Sequence, residues 1–143
     1  MTSKNCLKMV FPSTSENVGI ARVAAAAFAA QVDLTLNDLE EIKVAVSEAI
    51  SNAIIHGYAD KLGDIEFTLA LFDDRLEFVV TDYGRGIADI EQARRPSFTT
   101  APERMGLGFV FMESFMDELT VESAIDKGTT VRMVKKIDTN PAH

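Results

Sequence analysis

Tryptophan is absent and cysteine occurs once, at Cys6, so the chain has no intrachain disulfide and no cysteine-rich metal site. Long apolar runs are also missing. The longest, Val23 to Ala30, is Ala-rich and far too short to cross a bilayer. The opening Met1-Thr2-Ser3-Lys4 leads into a strand-like pattern without the apolar core of a secretory signal, so a cytoplasmic protein with no membrane contact is expected. Positive charge is scarce: 14 Lys and Arg against 22 Asp and Glu leave a formal net charge of −8. That balance disfavours direct nucleic-acid binding, which depends on neutralising phosphates. No GxxxxGK[ST] motif occurs, so a P-loop is excluded. A small polyphosphate remains open as a ligand, because Mg²⁺, backbone amides and one or two cationic side chains suffice to hold it. What is present, 47% hydrophobic and 25% charged residues over 143 positions, suits a single globular domain.

Hydrophobic spacing organises the chain. Leu7, Met9 and Phe11 alternate in a first strand, broken by Pro12-Ser13-Thr14-Ser15. Asn17 to Gln31 reads as an Ala-rich helix with Ser15 as its N-cap. A second helix, capped by Thr35 or by Asn37 with Glu40, runs to about His56 and stops at Gly57. Its core stripe is Leu39, Ile42, Val46, Ala49, Ile50, Ala53 and Ile54. Residues 64–72 and the run around Leu76, Phe78 and Val80 form a hairpin through Asp73-Asp74. A short helical piece around Ala88 to Ala93 follows. Arg94 to Arg104, with two prolines and little periodicity, reads as a long mobile loop. A third helix spans Gly106 to Phe115, and a second hairpin, Leu119–Ser123 with Thr129–Val134, closes the domain through Asp126-Lys127-Gly128. The tail from residue 137 is polar and expected to be loose. Three helices and about five strands, not alternating singly, predict a two-layer α/β sandwich with helices on one face of a mostly antiparallel sheet.

Four polar or glycine-rich spots interrupt this pattern. Glu48 and Asn52 lie four residues apart, hence on one side of the second helix, at the edge of its apolar stripe. Such groups either reach solvent or a neighbouring loop, or bind something, because burial without a partner is costly. Asp82-x-Gly84-x-Gly86 ends a strand, either as an ordinary turn or as an acceptor beside a flat ligand. Gly106-Leu107-Gly108 opens the third helix, as a flexible joint or as an anion site at the positive end of the helix. Gly128-Thr129-Thr130 reads most simply as a hairpin glycine before β-branched strand formers.

Taken in order, these motifs resemble the GHKL ATPase and kinase superfamily with its Bergerat nucleotide fold, over residues 5 to 137. Within it the chain is most similar to the bacterial anti-sigma-factor serine kinases, the sporulation anti-sigma F factors in particular. The segments that carry this are Val46-Ser47-Glu48-Ala49-Ile50-Ser51-Asn52-Ala53-Ile54-Ile55-His56-Gly57-Tyr58, Phe98-Thr99-Thr100, Glu103-Arg104-Met105-Gly106-Leu107-Gly108-Phe109 and Met112-Glu113-Ser114-Phe115-Met116-Asp117.

The resemblance implies ATP and Mg²⁺ as ligands and gives each motif a role. Asn52 would be the Mg²⁺ ligand, and Glu48 the catalytic group that orients a serine hydroxyl and accepts its proton. Asp82 would take the adenine amino group, with Gly84 and Gly86 leaving room for the base and Thr130 as a second adenine-side contact. Residues 94–105 would form the ATP lid. There Thr99 and Thr100 would be nucleotide contacts, and Arg104 would stabilise charge on the γ-phosphate. Gly106 and Gly108 would present amides to the phosphates. Ala101 stands where family members often carry Lys. The family further implies a homodimer built on the first strand and first helix. Two competing partners are implied as well: a sporulation sigma factor that is inhibited, and an anti-anti-sigma factor that is phosphorylated on serine. Arg22, on the Ala-rich first helix, is a candidate partner contact beside its simpler reading as a solvated arginine. The alternatives are a nucleotide-dependent sigma-binding module without significant kinase activity, or the same kinase type acting on a general-stress sigma factor.

Overall fold

The computed structural model describes residues 2–59, 61–90, 94 and 101–137, with 101–105 described by their backbone alone. The sequence expectations for Thr99, Thr100, residues 95–100 of the lid and residues 138–143 of the tail therefore lie outside the described residues, as does the side chain of Arg104. The elements are β1 (Asn5–Pro12), α1 (Glu16–Ala29), α2 (Leu36–Asn52), a π-helical turn (Ala53–Gly57), β2 (Asp64–Leu71), β3 (Arg75–Asp82), α3 (Ala101–Phe115), β4 (Glu118–Ala124) and β5 (Gly128–Lys136). The strands form one antiparallel sheet in the order β1-β2-β3-β5-β4.

Alternation decides which sheet face is covered. Ile65, Phe67, Leu69 and Leu71 on β2, Leu76, Phe78 and Val80 on β3, and Val131 and Met133 on β5 point to one face and are buried. Against them pack Ile42, Val46, Ala49 and Ile50 of α2 with Phe109 and Met112 of α3. Each large side chain so buried contributes roughly 1.5–3 kcal/mol. The predicted two-layer sandwich is thus the observed one. At the far end of α3, the Lys135 ammonium donates to the carbonyl of Phe115 at 3.0 Å and pairs with Glu41 at 3.3 Å, joining sheet and both helices.

Local chemistry moves several element ends. Thr35, not Asn37, caps α2, in a reciprocal capping box with Asp38. Asn37 instead donates to Glu41 at 2.8 Å within the helix. Ser15 occupies the N-cap of α1 but makes no side-chain cap bond. The Asn17 amide ties the segment down, donating to the Pro12 carbonyl at 2.9 Å. The α-helical part of α2 stops at Asn52, and the next five residues widen into a π turn. Such turns are frequent where a helix meets a functional site. The largest correction concerns α3, which begins at Ala101 rather than at Gly106. Ala, Glu, Arg and Met favour helix, and Pro102 falls in the first turn, where proline is tolerated because its missing N–H has no intrahelical partner to lose.

Candidate active site

Glu48 and Asn52 meet α3 at Gly108. A Cβ placed on Gly108 would sit 2.9 Å from Glu48 Oε2, 3.3 Å from Asn52 Nδ2 and 3.4 Å from Asn52 Oδ1. Glycine is what allows α3 to lie this close to both head groups. The Asn52 Nδ2 atom is buried and without a hydrogen-bond partner among the described residues. An amide nitrogen so placed is a donor waiting for an acceptor, such as a phosphate oxygen. Rotated by half a turn, the same amide offers a hard oxygen to a cation.

From Asn52 a narrow cavity runs inward beneath α3. His56, Asp82, Gly86, Phe109 and Thr129 also line it, and it encloses about 20 Å³, room for about one water. Asp82 is its polar end. It continues the inward-facing register of Leu76, Phe78 and Val80, so the strand delivers a carboxylate to the core face, where it is 4% exposed. Burial pushes its pKa up, opposed by hydrogen bonds from the backbone N–H groups of Gly84 and Thr129. The Gly84 N–H lies 2.9 Å from Oδ1. The result is a desolvated acceptor, held in place and fit to receive an amino group.

Close backbone approaches build this end of the cavity. A Cβ on Gly84 would lie 2.0 Å from the Gly57 carbonyl oxygen, and one on Gly57 would lie 2.7 Å from the Asp82 carboxyl carbon. Arg85 completes the clasp: its backbone N–H donates to the Gly57 carbonyl at 2.9 Å and its Nε to the His56 carbonyl at 2.7 Å. The π turn that ends the Asn52 helix is thereby fastened to the Asp82–Gly86 segment.

The structure therefore brings together Glu48, Asn52, Asp82, Gly84, Gly86 and Gly108. Gly106 and Gly108 lie well inside α3, not at its start, so their amides are in the helical ladder rather than free at a helix end. Thr130 does not reach the cavity. It pairs with Thr81 on the opposite sheet face, its Oγ1 3.2 Å from Thr81 Oγ1, while Thr129, buried and opposite Asp82, lines the cavity. Alternation with the inward-facing Val131 and Met133 is the signal that selects Thr129.

Glu48 also faces outward. With Arg22, Glu40, Lys43, Val44 and Ser47 it lines a surface cleft of about 360 Å³ between α1 and α2. Asn52 lines the inner cavity and Glu48 the outer cleft, so the two polar residues of one helix serve two spaces.

Comparison with known proteins identifies the family. Residues 11–135 match the histidine kinase-like ATPase domain family. The chain is 47% identical to an anti-sigma F factor of Caldanaerobacter subterraneus subsp. tengcongensis, over 98% of this chain and 99% of that protein. It is 50% identical to an anti-sigma F factor of Geobacillus kaustophilus, over 94% of each. Among solved structures, the fold is similar to that of the RsbU and RsbW domains of a Mycobacterium tuberculosis protein, with a TM-score of 0.65 at 21% identity over 92% of this chain and 32% of that one. A histidine kinase domain from Erythrobacter litoralis aligns with a TM-score of 0.56 at 22% identity, over 87% of this chain and 61% of that one. The cavity beneath α3, the Asp82 acceptor and near-full-length likeness to these relatives place the chain in the anti-sigma F factor family, within the histidine kinase-like ATPases.

Proposed function

We propose that the protein binds and inhibits a sporulation sigma factor and, as an ATP-dependent serine kinase, phosphorylates the anti-anti-sigma factor that opposes it. The observation that carries this is the meeting of Glu48 and Asn52 at Gly108, between an inner cavity ending in Asp82 and an outer cleft open to a protein partner. In this proposal Asp82 accepts from the adenine amino group, and Thr129 lies beside the base. The cavity is too small for a purine as it stands, so α3 must shift away from the Asp82 wall for nucleotide to enter. Glu48 orients the acceptor serine and takes its proton, and Arg104 and the Thr99-Thr100 pair act at the phosphate end.

The Asn52 amide fits a role at a nucleotide-borne Mg²⁺. Among the described residues no group of three or more His, Cys, Asp or Glu side chains is placed to cage a metal. A Mg²⁺ arriving on phosphates needs only one or two protein ligands, and it would supply charge neutralisation there. Homodimer formation through β1 and α1 is part of the same proposal. β1 is an edge strand, and Leu7, Val10, Ile20 and Val23 are all at least half exposed. No helix among the described residues is long and apolar enough to cross a membrane; action on protein partners in the cytoplasm is part of the same proposal.

The deciding experiment incubates the protein with radiolabelled ATP, Mg²⁺ and a small anti-anti-sigma protein. Label on an acceptor serine is expected. Absence of transfer by the wild-type protein, with the acceptor bound, would leave a sigma-binding module and remove the kinase.

A further inference from the structure

The cleft beside Glu48 contains a contact with no assigned role. Ser47 sits in the middle of α2, where serine has little to offer a helix unless its hydroxyl is used. The hydroxyl donates to the Lys43 carbonyl one turn back, at 2.7 Å. That bond fixes the direction of its lone pairs, and one of them accepts from Arg22 Nε at 2.8 Å. Arg22 belongs to α1, so the bond crosses between helices at the rim of the cleft that holds Glu48. Among the described residues, Arg22 bonds through Nε, to a hydroxyl and not to a carboxylate. The neighbouring cation, Lys43, is occupied by Glu40 at 2.8 Å.

A free arginine side chain samples many rotamers, and fixing it costs entropy at the moment of binding. Here the cost has already been met by the neutral hydroxyl of Ser47, the residue next to Glu48 in sequence, which holds the guanidinium without cancelling its charge. We propose that Ser47 is a positioning residue for the protein acceptor: it holds the Arg22 guanidinium at the cleft so that a docked chain presents its hydroxyl to Glu48. This rests on the kinase reading above, and it assigns Ser47 to the acceptor side of the reaction rather than to the nucleotide side.

The test is steady-state phosphoryl transfer by Ser47→Ala, Ser47→Thr, Arg22→Ala and the Ser47→Ala/Arg22→Ala pair, varying acceptor and ATP separately. Ser47→Ala should raise KM for the acceptor about tenfold, the size of one hydrogen bond to a charged group, with kcat and KM for ATP within about twofold by the same reckoning. Threonine keeps a hydroxyl able to bond one turn back, so Ser47→Thr should restore the wild-type KM. Adding Ser47→Ala to Arg22→Ala should change nothing further. An unchanged acceptor KM, an effect on ATP instead, or additive effects of the two substitutions would overturn the proposal. If the wild-type protein transfers no phosphate, calorimetric titration with the same acceptor decides. The same tenfold weakening and threonine rescue would uphold Ser47 although the kinase reading had failed, and equal affinities or no binding would sink it.

Discussion

Gly108→Ala should separate stability from catalysis, because the two effects have opposite signs. Gly108 is helical and buried, with no positive φ. Replacing glycine by alanine within a helix is worth about 0.8–1 kcal/mol in favour of folding. Against this stands the new methyl group, 2.9 Å from Glu48 Oε2 and 3.3 Å from the nearest Asn52 atom. Neither neighbour is backbone. The carboxylate ends a side chain with three torsions and can swing outward into the cleft, at a cost of a few tenths of a kcal/mol when it settles in another staggered well. The net gain is about 0.5 kcal/mol. With roughly 2.1 cal/mol/K of unfolding entropy per residue over this chain, Tm rises by about 1–2 °C. Catalysis moves the other way, because the swing takes Glu48 from the place where an acceptor hydroxyl must meet it. Displacements on the order of 1 Å at a reacting group cost about a hundredfold. Thermal unfolding without nucleotide and phosphoryl transfer to the acceptor, measured on the same preparation, check both signs. A variant destabilised by more than about 1 kcal/mol, or one that transfers phosphate at the wild-type rate, would refute the placement of Gly108 against both head groups.

Glu48→Gln keeps the size of the side chain and removes its basicity, so transfer should fall by about 10²-fold or more while the unfolding midpoint stays put; labelling of the acceptor at wild-type speed would take Glu48 out of the reaction. Asn52→Ala removes the buried amide and should weaken Mg·ATP roughly ten- to a hundredfold by calorimetry, and an unchanged affinity would exclude Asn52 from the nucleotide site. Gly84→Ala puts a methyl 2.0 Å from the Gly57 carbonyl, which is backbone, and strains the adjoining Arg85–Gly57 bond; a loss of about 1–3 kcal/mol in denaturant unfolding is expected, and wild-type stability would contradict the close approach. Asp82 has its folded pKa raised by burial above the ordinary 3.8, so the folded protein binds its proton more tightly than the unfolded chain. Its contribution to stability is present below pH 3.8 and lost as pH rises through the folded value. In Asp82→Asn this acidic limb should vanish, seen as a wild-type minus variant stability difference that falls with rising pH just above 3.8. A difference independent of pH would show that the carboxylate is not desolvated.

The sheet was legible because β2 and β3 alternate toward the buried face: Ile65, Phe67, Leu69 and Leu71, then Leu76, Phe78 and Val80. The same regularity makes Asp82 conspicuous, a carboxylate in an inward-facing position. Helix ends were harder to read, since they turn on one side chain among several candidates. Thr35 and Asn37 are both good caps, and only the reciprocal bonds with Asp38 choose between them. The start of α3 was hidden because proline commonly breaks helices but is tolerated in a first turn. Thr129 and Thr130 are adjacent, and counting back from Val131 in steps of two puts Thr129, not Thr130, on the inward face. The Ser47–Arg22 bond has no signature in sequence. Its partners are 25 residues apart, and only the packing of α1 on α2 brings them together.

Helical geometry explains why one segment can serve nucleotide and acceptor together. Four residues turn an α-helix by a little more than one revolution and advance it by about 6 Å. Glu48 and Asn52 therefore share a side of α2 while standing one turn apart along its axis. That offset separates the outer cleft, which Glu48 lines, from the inner cavity, which Asn52 lines. Under the proposed function, this offset would let the amide serve the nucleotide while the carboxylate meets the acceptor. The π turn after Asn52 then bends the chain so that Gly57 packs against Asp82, fixing the far end of the nucleotide cavity from the same helix. Nucleotide binding alone would require the Asn52 and Gly57 ends of this device. A carboxylate lining an open cleft, with Arg22 bonded to Ser47 at its rim, would have no part in that simpler task; under the proposed function it would serve phosphoryl transfer to a docked protein.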